Sequence, residues 1–409
     1  MLPLAEAREY VLAGCAPGHP RAVPLGDALG LVTSVDLDAA EPVPPFDNTA
    51  MDGFAVRAAD TAGASDETPV SLAIAGTLAA GAAPEVAVEP GQAVRIMTGA
   101  PMPPGADAVV MVERTTVDDS GATVGVHVTV EPGNHVRRAG DDVRAGERVF
   151  PAGTPLEAAH LGVLASVGVR RVPVHPRPRV GVVSTGDELV DGPEALGPGQ
   201  IRDSNRRMLL ALVERVDCTP VDLGRIPDDE AAIAAAFEEG ARSCDAVISS
   251  GGVSMGDFDY VKVVLDRLGD MRWMQVAIRP AKPLAFGTID GTPVFGLPGN
   301  PVSSLVSFEL FARPGLRRML GHAVLDRPRL LGVTEQDLRR RPDGKVHFVR
   351  VTARYEDGGF RVQPTGGQGS HQLAATAAAN ALVVLPDGDG VAAGDAVEVL
   401  PLGDVGTLT

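Results

Sequence analysis

The chain has 409 residues, with 53 acidic against 36 basic side chains and a formal net charge of −17. That balance argues against a general nucleic-acid binder, which needs a basic face to release counterions from phosphates. At roughly 100–200 residues per domain the length predicts two to four domains. Aromatics make up only 4% of the residues, so Ala, Val, Leu and Ile must build the cores.

In chain order, residues 3–15 predict a short helix. The opening MLPLAEAREYVLAG carries charges among its apolar residues and lacks the basic-then-apolar order of a secretion signal. No charge-free apolar run approaches the roughly 20 residues of a membrane span. The expectation is a soluble cytoplasmic protein with neither membrane nor nucleic-acid partners. Cys15, Cys218 and Cys244 form no C-x-x-C pair, which argues against a disulfide scaffold or a structural zinc. Pro42, Pro44 and Pro45 interrupt regular structure. From 46 to 146, VSLAIAG, QAVRIMTG, DAVVMVERTTV and TVGVHVTV predict strands of a small β domain. LEAAHLGVLASVG predicts a helix closed by Gly168, and PRPR at 176–179 a linker.

Beyond the linker the period changes. RVGVVST, CTPVDLGRI and DAVISS predict strands that alternate with helices over SNRRMLLALVERV, DDEAAIAAAFEEGARS and DFDYVKVVLDRLG. Such alternation predicts a parallel sheet covered on both faces. Asp203 or Ser204 is the expected N-cap of the first of these helices. AFGTIDGTPVFGLPG predicts a hairpin turning at Asp290–Gly291, followed by a helix from Pro301 to about Leu320 that Pro314 kinks or interrupts. HFVRVTARYEDGGFRVQP, ALVVLP and DAVEVLPL then predict a second small β domain.

Ligands of open parallel sheets bind at the carboxyl ends of the strands. Three motifs fall there: STGDEL (Ser184, Thr185, Asp187, Glu188), SSGGVSMGDFDY from Ser249 to Tyr260, and LPGNP (Pro298, Gly299, Asn300, Pro301). Amides around Gly251, Gly252 and Ser254 offer an oxyanion cradle. The same glycines are equally consistent with a plain turn between strand and helix, since no Walker A or Rossmann fingerprint occurs. Asp187, Glu188, Asp228, Asp257 and Asp259 form an acidic set at these ends, for which Mg²⁺ bridging to phosphate is the natural counter-ion. Taken singly, Asp228 and Asp257 also read as helix caps. IRPAKP sets Arg279 and Lys282 in a proline-stiffened loop suited to an oxyanion, in a chain whose only other lysines are Lys262 and Lys345. Asp52, Thr98, Arg137, Arg138 and Asp142 are polar candidates in loops of the first β domain, where arginine–aspartate pairing also reads as a structural ion network. Ser370, in GGQGSHQL, is either an oxyanion contact or a helix cap.

PPFDNTAMDGFAVR, RIMTGAPMPPGADAVV, STGDEL, SSGGVSMGDFDY, RPAKP and GLPGNPVSS, in this order, closely resemble molybdopterin molybdenumtransferases, the family that includes the gephyrin E domain. The resemblance implies a multidomain α/β plus β fold. An elongated, discontinuous N-terminal linker domain (1–45 and 147–177) would hold an inserted β domain (46–146). A central parallel α/β molybdopterin-binding domain (178–326) and a C-terminal β-barrel (327–409) would follow. It implies a cytoplasmic homodimer that consumes adenylated molybdopterin and molybdate, with Mg²⁺, and releases AMP and molybdenum cofactor. It also implies exchange with a molybdopterin adenylyltransferase and with molybdoenzyme apoproteins. Asp52 and Thr98 would reach the active site across the dimer interface, and Asp142 matches the family's GDD segment. Glu188 and Asp259 would join the catalytic acids. Arg279 and Lys282 would contact molybdate or phosphate, and Pro298 and Pro301 would shape the pocket. The family often carries lysine where Arg279 stands, and some members carry lysine where Gln275 stands. A molybdopterin adenylyltransferase shares the α/β domain, and a receptor-anchoring scaffold or a cofactor-storing module are the readings from other classes.

Overall fold

The computed structural model describes residues 1–252 and 260–403. Ser254, Asp257 and Asp259 lie outside the described residues.

The central unit is a six-stranded sheet of β1 (Arg179–Thr185), β2 (Thr219–Ile226), β3 (Ala246–Ser250), β4 (Asp270–Gln275), β5 (Pro283–Ile289) and β6 (Thr292–Leu297). Its order is β2-β1-β3-β6-β5-β4. The first four strands in that order pair in parallel, whereas β5 runs antiparallel to both β6 and β4. The parallel expectation therefore holds for the strand ends that carry the motifs, and the hairpin reverses the remainder. The turn is the expected one: Asp290 (φ 49°) and Gly291 (φ 83°) both take the left-handed conformation a two-residue hairpin loop requires.

Both faces of the sheet are buried, as the continuous apolar runs of β1 and β3 demand. On one face Ile233 and Phe237 of the Glu230–Ser243 helix join Val261, Val264 and Leu265 of the Tyr260–Leu268 helix. On the other, Leu209 and Val213 of the Ser204–Glu214 helix pack with Leu316 and with Ala7 and Val11 of the Leu4–Ala13 helix. Phe348, Leu382 and Leu400 from the C-terminal region share this core. Pro314 has the expected effect on the long helix. An α-helical stretch Pro301–Ser307 passes into a π-helical turn, Phe308–Ala312, before Arg313–Met319 resumes. Proline has no N–H to give the carbonyl four residues back. That carbonyl, on Leu310, is met by the Arg8 guanidinium of the first helix at 2.9 Å.

In the N-terminal half, a six-stranded sheet has Gly53–Val56 and Gln92–Ile96 in its interior. DAVVMVERTTV, expected as one strand, is two. Ala108–Met111 lies at one edge, a 3₁₀ turn follows at Val112–Arg114, and Thr115–Val117 lies at the opposite edge. Val112 is 43% exposed, so the apolar run does not mark a continuous buried face. The helix expected before Gly168 spans Ala158–Ser166 and opens with a capping box of Glu157 and His160. Residues Arg21–Pro24, Val32–Thr33 and Arg171–His175 form a separate three-stranded sheet.

At the C-terminal end, strands Leu330–Thr334, Val346–Glu356, Gly359–Pro364, Ala381–Leu385 and Ala396–Pro401 close into a five-stranded barrel. Closure removes the open edges that a small sheet otherwise exposes. Ile278–Arg279 of the central unit pairs in parallel with Val346 and His347, so the barrel is hydrogen-bonded directly to the RPAKP loop. All three cysteines are free and buried. Among the described residues no helix is long and apolar enough to cross a membrane.

Candidate active site

The parallel registers bring Ser184, Ser250 and Leu297 to one level, so the loops after β1, β3 and β6 open on the same side of the sheet. A cavity of about 350 Å³ lies there. Thr185, Glu188, Asp203, Asn205, Ser250, Gly251, Gly299, Asn300, Pro301 and His371 are among its lining residues. Five of the expected substrate contacts, Thr185, Gly251, Gly299, Asn300 and Pro301, are thus brought together. Ser184 is buried beneath them and donates to Asp203 Oδ2 at 2.5 Å. Pro298 is buried behind the wall.

Two residues of this cavity carry more chemistry than their sequence positions suggested. Asp203 caps the Ser204–Glu214 helix as expected, accepting from the Arg206 amide at 3.1 Å, and it also accepts from Arg206 Nε at 2.9 Å. The Arg206 side chain is only 3% exposed and is paired as well with Asp191 and Asp222. Asn205 was not singled out. Its Nδ2 donates to Ser250 Oγ at 2.8 Å and to the Gly299 carbonyl at 2.7 Å, tying three loops together. Its buried Oδ1 has no partner among the described residues. An unpaired buried acceptor in a cavity wall suits an N–H donor on a ligand. The D-S-N run at the start of a helix in a parallel sheet was the available signal.

The glycine cradle is only partly free. The Gly251 amide donates to the Leu297 carbonyl at 3.1 Å, so it is already used inside the fold. For this one amide the bond matches the alternative of a plain turn between strand and helix, while Gly251 itself still lines the cavity. The function of Gly251 is close approach: at φ 99° an added Cβ would sit 3.3 Å from the Thr185 carbonyl oxygen.

Of the acidic set, Asp187 and Asp228 meet. The Asp187 amide donates to Asp228 Oδ2 at 3.4 Å, and the Asp228 amide donates to Asp187 Oδ1 at 3.2 Å. Asp228 does not cap the following helix; Asp229 does, accepting from Ala232 at 2.8 Å. Among the described residues no group of three or more His, Cys, Asp or Glu side chains is assembled for a metal ion.

A second cavity, of about 360 Å³, is cationic. Arg279, Lys282, Lys345, Ser303, Gln368, Gly369 and Ser370 line it. Arg279 and Lys282 make no ion pair among the described residues, so both charges are available to an anion. The 367–372 loop that forms one wall hangs on Arg350, which is 1% exposed. Its guanidinium donates to Gln368 Oε1, the Gln372 carbonyl, Thr376 Oγ1 and the carbonyls of Gly367 and Gly369. None of these acceptors is a carboxylate, so a positive charge sits behind the loop with no paired carboxylate among the described residues. The two cavities share a partition. Pro301 and His371 face the first, Ser303 and Ser370 the second, and the Val302 amide donates to the Ser370 carbonyl at 3.1 Å between them.

Asp52 and Thr98 also meet, though elsewhere. The register that pairs Gly53 with Ile96 places Asp52 beside the following turn, where Asp52 Oδ1 accepts from the Thr98 amide at 2.7 Å and from its hydroxyl at 2.6 Å. The Thr98 hydroxyl holds the Asp52 carboxyl below the usual carboxylate range. Both residues are exposed, and neither lines either cavity. Asp142 is exposed and is likewise absent from both linings. Arg138 pairs with Asp47 at 2.6 Å, the structural alternative considered for that motif.

Residues 2–168 match the MoeA N-terminal region (domain I and II), 181–318 a probable molybdopterin binding domain, and 334–402 the MoeA C-terminal region (domain IV). Molybdopterin molybdenumtransferase 2 of Mycobacterium tuberculosis is 42% identical over 391 residues, which is 94% of this chain and 95% of that protein. The chain belongs to the molybdopterin molybdenumtransferase family. A second member, molybdopterin molybdenumtransferase of Haemophilus influenzae, is 37% identical over 98% of both chains. The crystal structure of a molybdopterin biosynthesis MoeA protein from Pyrococcus horikoshii superposes with a TM-score of 0.85 at 31% identity, covering 99% of this chain and 100% of that one. The likeness of this molybdenumtransferase-family chain to its relatives extends through both β regions, beyond the α/β unit that a molybdopterin adenylyltransferase reading rested on.

Proposed function

We propose that the protein is a molybdopterin molybdenumtransferase: it takes adenylated molybdopterin and molybdate, hydrolyses the adenylate, and releases AMP and molybdenum cofactor. The observation that carries this reading is the pair of cavities on either side of one partition. The first is rich in hydrogen-bond acceptors, the Glu188 and Asp203 carboxylates and Asn205 Oδ1 among them, and suits a heterocycle edged with N–H groups. The second offers Arg279 and Lys282, without ion pairs among the described residues, together with hydroxyls, and suits a tetrahedral oxyanion. A reaction that joins an oxyanion to a pterin needs both sites held at a fixed spacing, which lowers the entropic cost of bringing two reactants together.

Splitting a phosphoanhydride requires an in-line water and neutralisation of the developing charge. Asp187 and Asp228, facing each other from two strand ends, would hold Mg²⁺, with Glu188 close by. Two carboxylates fit this ion, because Mg²⁺ usually takes one or two carboxylates and completes its shell with water and substrate phosphate oxygens. When bound, the ion would neutralise charge on the adenylate. Asp203 and Asn205 orient the pterin side, while Arg279 and Lys282 hold the oxyanion. Asp52 and Thr98 serve a partner's cavity in a homodimer, which accounts for an ordered carboxylate–hydroxyl pair outside both cavities of its own chain. We place this activity in the cytoplasm.

AMP release from adenylated molybdopterin by the purified protein, with and without molybdate and Mg²⁺, tests the reading. Release that depends on both is the expected result. Tight pterin binding with no AMP under any condition would refute it in favour of a carrier.

A further inference from the structure

We propose that Arg206 is a positioning residue for the first cavity: its buried guanidinium ties the 187–202 segment, which forms one side of that cavity, to the Asp203 carboxylate in the cavity wall. The inference rests on the transferase reading of the cavity and adds a residue that lies outside its lining.

The segment is an excursion between β1 and the Ser204–Glu214 helix. Leu189–Val190 pairs in parallel with Ile201–Arg202 at its base, and every residue of the intervening DGPEALGPGQ is exposed. Glu188, Leu189, Ile201 and Arg202 line the cavity. Prolines and glycines keep the stretch out of regular structure, so its seat depends on side-chain ties. Arg202 Nη1 closes it on itself, donating to the Gly192 carbonyl at 2.5 Å. Arg206 ties it to the rest of the domain. The three guanidinium nitrogens take three different carboxylates. Nη2 pairs with Asp191, at the start of the excursion. Nε donates to Asp203 Oδ2 at 2.9 Å, just past its end. Nη1 donates to Asp222 Oδ1 at 2.5 Å and Oδ2 at 2.6 Å, on β2 of the sheet. Only a planar fork of donors can span such a set. Arg207 stands 3.7 Å from Asp191 and 3.9 Å from Asp222, but it is 66% exposed, so screening leaves it a minor contributor.

The same side chain fixes the plane of Asp203. Oδ2 accepts from Ser184 Oγ at 2.5 Å and from Arg206 Nε, and Oδ1 accepts from the Arg206 amide at 3.1 Å. A carboxylate oxygen accepts about two bonds, so among the described residues Oδ1 keeps one acceptor site. Asn205, two residues along, contributes its unpaired Oδ1 to the same lining. Loss of the Nε bond would leave the carboxylate held by Ser184 and one amide, and loss of the Nη2 pair would free Asp191 to turn toward water. Three carboxylates gathered without their cation would also repel one another. Both changes act on surfaces that meet the substrate before any bond is broken, so they should weaken its binding more than they slow its turnover.

The test is steady-state AMP release from adenylated molybdopterin, with molybdate and Mg²⁺ present, by the full-length protein as wild type, Arg206→Lys, Arg206→Met and Asp191→Asn. Amide hydrogen exchange of the ligand-free proteins is measured in parallel. Arg206→Met is expected to raise KM about tenfold while kcat falls less than about threefold, with exchange accelerated in residues 187–202. Arg206→Lys should stay close to the methionine variant, because an ammonium cannot reach three carboxylates at once. Asp191→Asn leaves the buried guanidinium in place and keeps the test open if the Arg206 variants fold poorly; it should accelerate the same exchange and raise KM about threefold. KM within about twofold of wild type in both Arg206→Lys and Asp191→Asn would overturn the inference and leave the transferase reading standing. A fall in kcat at unchanged KM, with faster exchange throughout the α/β unit, would overturn it by marking a structural role. No AMP release by the wild type would overturn both.

Discussion

Replacing Arg350 by methionine keeps most of the side-chain volume and removes the charge with every donor. Five acceptors around residues 367–376 then lose a hydrogen bond: Gln368 Oε1, the carbonyls of Gly367, Gly369 and Gln372, and Thr376 Oγ1. Gln368 Oε1 keeps the residue-350 amide at 3.0 Å and the Gln372 carbonyl keeps the Thr376 amide at 3.3 Å, so the loss is partial at those two. A hydrogen bond to a charged group contributes roughly 1.5–3 kcal/mol. Five such terms do not add, because the buried guanidinium, 1% exposed, also carries a desolvation cost that its removal relieves. A net destabilisation of about 3–5 kcal/mol follows. At roughly 2–4 °C per kcal/mol for a unit of this size, calorimetry should show a transition lowered by at least about 6 °C. Amide exchange should rise first in the 367–372 loop, and molybdate affinity should fall because that loop walls the oxyanion cavity. Arg350→Lys should recover less than half of the loss, since an ammonium concentrates its donors at one point and cannot span five acceptors. A methionine variant that melts within about 1 °C of wild type and binds molybdate normally would refute the reasoning.

Asn205→Ala should cost about 2–3 kcal/mol in urea unfolding, from two lost bonds and the stranded Ser250 hydroxyl and Gly299 carbonyl, and should raise the KM for the pterin substrate more than it lowers kcat. Gly252→Ala places a Cβ 2.3 Å from Val261 Cβ at φ 70°, so a loss of about 2–4 kcal/mol is expected by chemical denaturation, with partial recovery in the Gly252→Ala/Val261→Ala double variant. Burial, reinforced by Arg317 and Arg313, pushes the His322 imidazole down to about 4. The folded state therefore binds fewer protons than the unfolded chain between about pH 6.5 and 4, and stability falls as pH falls through that window. The loss is about 1–2 kcal/mol once solvent screening of the half-buried ring is allowed for, and urea midpoints of His322→Gln should be flatter across the same range. Asp52→Ala and Asp228→Ala should each abolish AMP release, while co-expression of the two should restore about a quarter of wild-type turnover, because one mixed dimer site keeps both carboxylates; no recovery would argue that each chain uses its own Asp52.

Periodicity and turn chemistry reached much of this architecture. β1 and β3 are unbroken apolar runs, the Asp290–Gly291 and Asp357–Gly358 pairs turn where dipeptides of that kind should, and Pro314 marks the irregular helix. What escaped depended on contacts across long stretches of chain. DAVVMVERTTV shows β propensity throughout, and nothing local records that its halves go to opposite edges of one sheet. Asp228 and Asp229 are equivalent as helix caps by residue type; only the loop after β1 turns one of them toward Asp187. Gly251 looked available because its amide partner, Leu297, lies on a strand 46 residues away. Asn205 read as a polar residue in a first helical turn, and its pairing with Ser250 and Gly299 exists only once three strand ends converge. Lys345 was conspicuous only by the scarcity of lysine, since barrel docking brings it to the RPAKP loop.

The burial of all three cysteines bears on a hazard peculiar to handling a thiophilic metal. Molybdenum bound for a dithiolene would also bond to any accessible protein thiolate, and the thiolate is the ligating form. Cys15 is fully buried, Cys218 is 5% exposed and Cys244 8%. Burial pushes the Cys15 and Cys218 thiols up to about 12, so they stay protonated in the fold. The oxyanion cavity is lined by nitrogen and oxygen donors instead, with no sulfur among them. Among the described residues this cavity thus presents hard, displaceable contacts to the incoming metal and leaves the soft sulfur ligands to the substrate, which directs the metal onward instead of trapping it on the catalyst.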